Sequence, residues 1–125
     1  MHVVDTSGWI EHLFAYPNQL FFTPVIDDRA HLLVPTVCLH EVLRIVTRAR
    51  SRNAASEISV QMKRATVVDL DVRLAELSAR LGLRHNLSLA DSIIYATAQA
   101  HGATLYTQDA DMAKLPGVKS PRRRS

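Results

Sequence analysis

Short apolar runs alternate along this chain with longer stretches of helical periodicity. HVVD, a brief apolar run, ends in Asp5. Thr6 and Ser7 then supply the cap for a helix over SGWIEHLF, whose apolar face is Trp9, Ile10, Leu13 and Phe14. A second helical stretch covers roughly residues 18–28, with Pro24 expected to kink or break it. HLLV at 31–34 reads as a buried strand closed by Pro35, and Thr36 caps a helix running to about Arg50. A shorter helix follows over about 53–64. ATVVDL at 65–70 is the third strand candidate. Asp71 caps the helix VRLAELSARLGL, expected to end near Gly82, and Ser88 opens another that ends near His101 and Gly102. ATLYT is the fourth strand, Asp109 stands just after it, and a last turn over DADMAKL stops at Pro116 and Gly117. Apolar strands of this length between helices predict an α/β fold with a central parallel sheet covered on both faces.

The length of 125 residues fits one domain with a single core. Its 47% hydrophobic and 22% charged composition is that of an ordinary globular protein. No run approaches the ~20 apolar residues that span a bilayer, and MHVVDTSGW lacks the basic and apolar regions of a signal peptide. A cytoplasmic location without a membrane is the expectation. Cys38 is the single cysteine, which excludes an internal disulfide and a cysteine-rich zinc site; its apolar helical setting marks it as core. The net charge of +3 is misleading, because Lys119, Arg122, Arg123 and Arg124 lie in the last seven residues. Without those four positive charges the remainder carries −1, so the expected division is a domain over 1–118 and a flexible basic tail over 119–125.

The candidate chemistry rests on acids far apart in sequence. Asp5 and Asp109 each follow a strand candidate, while Glu41 and Asp91 each lie in the first two turns of a helix that leaves the same kind of edge. In an open parallel sheet, function gathers at the carboxyl ends of the strands where strand order reverses, so one cluster accommodates all four. Each acid also has a local explanation. Asp5 serves as a helix N-cap, Asp91 closes the capping box Ser88-Leu-Ala-Asp91, and Asp109 suits the turn TQDAD. Glu41 is the hardest to explain locally: positions 38, 41, 42, 45 and 49 share a helical stripe that is otherwise apolar. Asp111 is a fifth ligand or the cap of the last helix, and Ser7 and Thr107 suit supporting roles beside the acids or turn and capping roles.

All-oxygen carboxylate ligands suit Mg²⁺ or Mn²⁺, the ions used to activate water and neutralise the leaving oxygen in phosphodiester cleavage. The segment His40-Glu41-Val42-Leu43-Arg44 is not a zinc protease motif, because Arg44 stands where the second histidine belongs. Neither a G-x-S-x-G elbow nor a glycine-rich phosphate loop is present. Arg44 and Arg48, one turn apart, face RNA phosphates, an acidic partner, or simply solvent.

VVDTS, PTVCLHEVLR, SLADSIIYATA and TLYTQDADM, in this order and spacing, resemble the PIN-domain ribonucleases, and more closely the VapC-type toxins of bacterial toxin–antitoxin pairs. The resemblance covers roughly residues 3–118. It matches the family's four acids to Asp5, Glu41, Asp91 and Asp109, with Asp111 completing a D-x-D arrangement. It implies a three-layer α/β/α sandwich, Mg²⁺ or Mn²⁺ dependence, endonucleolytic cleavage of RNA, a homodimer and inhibition by a VapB-like antitoxin. Phe21 and Phe22 in LFFTPVIDD then belong either to a partner groove or to the core. Met112 stands where the family often has an aromatic. Two other readings remain: a PIN-type RNA-processing nuclease without an antitoxin, and a non-catalytic metal- or RNA-binding module.

Overall fold

The computed structural model describes residues 1–121. Five strands form one sheet: β1 (His2–Val4), β2 (Leu32–Pro35), β3 (Thr66–Val68), β4 (Thr104–Tyr106) and β5 (Val118–Lys119). Their spatial order is β3-β2-β1-β4-β5, and every neighbouring pair is parallel. Seven helices connect them: α1 (Thr6–Leu13), α2 (Gln19–Asp27), α3 (Thr36–Ala49), α4 (Arg52–Met62), α5 (Val72–His85), α6 (Leu89–Ala100) and α7 (Ala110–Ala113). The chain moves from β1 outward to β2 and β3, then returns across the sheet to β4 and β5. Right-handed crossovers in these two directions place α1–α4 on one face and α5–α7 on the other. The three-layer α/β/α sandwich is the expected fold. Among the described residues, no helix is long and apolar enough to cross a membrane.

The central strands are apolar on both sides because both faces are covered. Val3, Val4, Leu32, Val34 and Leu105 are fully buried. Helix α6 is buried continuously from Ser92 to Ala98, as its nearly all-apolar sequence predicts for a central helix. Helix α1 lies close over β1 at Gly8, where a Cβ would stand 2.6 Å from Val4 and 2.7 Å from Phe22. Glu11 is buried in the same layer and accepts a hydrogen bond from the backbone N–H of Asn18 at 2.9 Å, which ties α1 to the start of α2.

Several sequence expectations are corrected by packing. Strand β5 adds to the four strands that the sequence predicts: it is only two residues long and too short for periodicity to reveal. Lys119 pairs there with Tyr106, so it belongs to the sheet and not to the basic tail. Residues 122–125 of that tail lie outside the described residues. Pro24 does not break α2, which continues to Asp27. Proline removes the N–H that would bond the carbonyl of Leu20, but both residues are exposed, so water can replace that bond. Helix α5 does not stop at Gly82. It runs to His85 and ends at Asn86, which takes the left-handed conformation at φ 54°. Gly82 is there for close packing, since a Cβ would come within 2.3 Å of the Ser92 hydroxyl oxygen on α6.

Candidate active site

The strand order reverses between β1 and β4, and the carboxyl ends of these two strands lie side by side. The Asp5 N–H donates to the carbonyl of Tyr106, the last residue of β4, at 3.1 Å. Asp5 therefore leaves β1 directly beside Thr107. Its extended backbone makes Asp5 itself the N-cap of α1, in place of Thr6 or Ser7. One carboxylate oxygen accepts from the Gly8 N–H at 2.9 Å and from the Ser7 hydroxyl at 2.7 Å; the other accepts from the Thr107 hydroxyl at 2.5 Å. The local capping explanation and the placement at a strand end are thus both true of this one residue.

Asp5 is only 3% exposed, and burial pushes its carboxyl above the usual carboxylate range. The three hydrogen bonds pull in the opposite direction, and the neighbouring charge of Asp91 adds to the rise. Asp91 is half-buried in the first turn of α6. Burial raises its pKa first, Ser88 opposes, and the charges of Asp109, Glu41 and Asp111 raise it further. Ser88 does cap the helix, its Oγ accepting from the Asp91 N–H at 3.3 Å. Capping and membership of the acidic group therefore coexist here too.

Asp109 caps α7 by accepting from the Asp111 N–H at 2.9 Å, and its own N–H donates to the Thr107 hydroxyl oxygen at 2.9 Å. Thr107 is fully buried and so joins the loop carrying Asp109 to Asp5. Asp111 is exposed at the rim.

Glu41 departs from its expected setting. The buried stripe of α3 is Cys38, Val42 and Val46, while Ile45 and Ala49 are exposed; Glu41 is half-buried at the margin of the stripe. No ion pair joins it to Arg44 among the described residues. Instead its Oε1 accepts from the Thr6 hydroxyl at 2.6 Å. Thr6 is the contact that sequence reasoning missed, because a hydroxyl following a strand reads first as a helix cap. Cys38 lies fully buried beneath, donating weakly to the Val4 carbonyl at 3.7 Å; burial pushes its thiol far up, as for a core residue.

Arg44 and Arg48 are exposed on α3 and make no ion pair among the described residues. The partner-groove reading of the two phenylalanines divides. Phe22 is completely buried, whereas Phe21 is half-buried, its ring 5.0 Å from that of Phe22 and 5.8 Å from that of Tyr106. Met112, also fully buried, fills its place in the core.

The donor set is one of hard carboxylate oxygens, some held above their ordinary pKa by burial and mutual repulsion. A divalent cation relieves both causes. Among the described residues, however, no three Asp, Glu, His or Cys side chains converge tightly enough to enclose an ion as they stand.

An open parallel α/β sandwich with acids gathered at its switch point defines a class of carboxylate-centred α/β domains. The sequence profile of the PIN domain matches residues 2–118, and the chain belongs to the PIN-domain family. No curated protein sequence matches it. Among solved structures it is similar to a chain of a toxin–antitoxin complex from Klebsiella pneumoniae, at 23% identity and a TM-score of 0.82, over 99% of this chain and 100% of the other. It is similar to VapC20 of Mycobacterium tuberculosis, a toxin that cleaves the sarcin–ricin loop, at 18% identity and a TM-score of 0.77, over 95% of this chain and 98% of the other. It also resembles a chain of DNA-bound VapBC from Salmonella typhimurium, at 15% identity and a TM-score of 0.76, over 96% of each chain. At these identities the likeness is one of fold.

Proposed function

We propose that this protein is a Mg²⁺- or Mn²⁺-dependent endoribonuclease that acts as the toxin of a type II toxin–antitoxin pair. The observation that carries the reading is Asp5: a carboxylate 3% exposed, fixed by three donors at a strand end and near enough to Asp91 to feel its charge. Burying such a group is costly unless a partner of opposite charge arrives. Asp5, Glu41, Asp91 and Asp109 would hold the metal, with Asp111 at the rim. A bound divalent ion supplies Lewis acidity toward a phosphate oxygen and an acidified water. Ser7 and Thr107 keep Asp5 oriented, and Arg44 and Arg48 offer positive charge to RNA or to an acidic partner.

Structural neighbours that are toxin–antitoxin components support a VapB-like antitoxin as the partner. Membership of the PIN family and the described cleavage of RNA by VapC20 support RNA as the substrate. A homodimer has a suitable surface in the groove between α5 and α6, where Leu83 is 88% and Leu89 is 80% exposed beside Ala75, Ala79 and Gly82.

The test is cleavage of a mixed RNA substrate with Mn²⁺, with excess chelator, and with Asp5→Asn. Cleavage that needs Mn²⁺ and Asp5 is expected; cleavage that survives either removal overturns the reading. The alternative is a non-catalytic metal- or RNA-binding module. Mn²⁺ binding with no cleavage of any RNA selects that alternative. A nuclease without an antitoxin is distinguished by the neighbouring reading frame: co-expression of a small adjacent protein silences a toxin and leaves an RNA-processing enzyme active.

A further inference from the structure

We propose that Thr6 is the positioning residue for Glu41, its hydroxyl holding one carboxylate oxygen so that the other is presented toward Asp5 and Asp91. The proposal rests on the metal-nuclease reading of this site. Thr6 is the first residue of α1 and Glu41 lies in the second turn of α3, 35 positions away. A threonine at a helix start ordinarily bonds its own helix. Here the hydroxyl spans to another helix, and at 2.6 Å it makes a hydrogen bond of the length expected when the acceptor is charged. The other acceptor within reach, Cys38 Sγ, stands at 3.7 Å and competes weakly. Among the described residues this is the single side-chain hydrogen bond that Glu41 receives, and its Oε2 remains free.

The consequence is an arrangement in which two successive hydroxyls serve two different acids. Ser7 bonds Asp5, Thr6 bonds Glu41, and both hydroxyls are carried by the same helix start. Threonine suits this task because its branched Cβ restricts χ1, so the hydroxyl does not wander. A glutamate has three rotatable bonds, and at the half-buried margin of α3 nothing else fixes them. Without Thr6 the carboxylate is free to turn to solvent.

The experiment is calorimetric titration of Mn²⁺ into the full chain as wild type, Thr6→Val, Thr6→Ser and Glu41→Gln, and into the Thr6→Val, Glu41→Gln double variant. Loss of the hydroxyl weakens Mn²⁺ binding roughly tenfold, the lower end of the effect usual for residues that orient metal ligands. Thr6→Ser stays near the wild-type affinity, and Thr6→Val adds nothing once Glu41 is glutamine. Wild-type affinity in Thr6→Val overturns the proposal, as does an equal loss in the Glu41→Gln background, which assigns the effect to packing. If circular dichroism shows that Thr6→Val does not fold, Thr6→Ala takes its place in the same comparison. A wild type that binds no Mn²⁺ overturns the nuclease reading and this proposal together; a wild type that binds it beside an unaffected Thr6 variant overturns the proposal alone.

Discussion

The Thr107 hydroxyl lies 2.5 Å from Asp5 Oδ2, joining residues 102 positions apart. The Thr107 hydroxyl oxygen in turn accepts the Asp109 N–H at 2.9 Å, so one buried side chain fixes the most buried acid and the loop of another. Replacing it with valine keeps the shape and removes both bonds. Thr107→Val is expected to lower metal-dependent cleavage about 10- to 100-fold, as for other groups that orient metal ligands. It should also destabilise the fold by about 1–3 kcal/mol, because a half-buried N–H and a buried carboxylate oxygen each lose a partner. RNA cleavage assays and urea unfolding check the two parts separately.

Asp5→Asn and Asp91→Asn are expected to abolish cleavage while leaving the fold intact. Asparagine keeps the volume of each side chain and removes the charge that a cation needs. The measurement is cleavage by variants whose circular dichroism matches the wild type; wild-type turnover in either sinks the assignment of that residue.

The pKa of Asp91 predicts a stability effect of opposite sign to the activity effect. Its folded pKa is raised, so the folded state holds the proton more tightly than the unfolded one. Stability therefore falls as pH rises from the unfolded value through the folded one, and the full penalty of the charge is present at neutral pH. Without divalent metal, Asp91→Asn should raise Tm by a few degrees at pH 7. The gain should vanish at acid pH, where the wild-type carboxyl is protonated in both states. Thermal unfolding across the carboxylate range tests the sign.

Metal has the converse effect. A cation that binds only the folded state at a hundred times its Kd adds about 2.7 kcal/mol. Saturating Mn²⁺ should raise the Tm of the wild type at neutral pH, chelator should reverse it, and Asp91→Asn should blunt it.

Gly82→Ala tests the packing of α5 against α6. The added methyl would enter the space of the Ser92 hydroxyl at 2.3 Å, in the α5–α6 contact. A loss of about 1–3 kcal/mol is expected from such overpacking. Urea unfolding curves beside those of the wild type read the loss.

The alternation of apolar runs and helical periods was sufficient for the parallel α/β architecture, because buried parallel strands need apolar residues on both faces. Most helices were likewise visible, since one-sided burial leaves a 3.6-residue period. Glu41 shows the limit of that reasoning: the period placed it in an apolar stripe, but Ile45 and Ala49 of that stripe face solvent. Gly82 shows another, for a glycine needed by a neighbouring helix is indistinguishable in sequence from one that ends its own.

Sequence alone thus determined the candidate acids and their places after strands or in the first turns of helices, through local rules of periodicity, capping and turn chemistry. Only the tertiary structure decided which hydroxyl serves which carboxylate. Thr6 and Glu41, or Asp5 and Thr107, become neighbours through parallel crossovers that bring distant strand and helix ends to one edge. No local pattern encodes such pairings, because their register depends on how the whole sheet is packed.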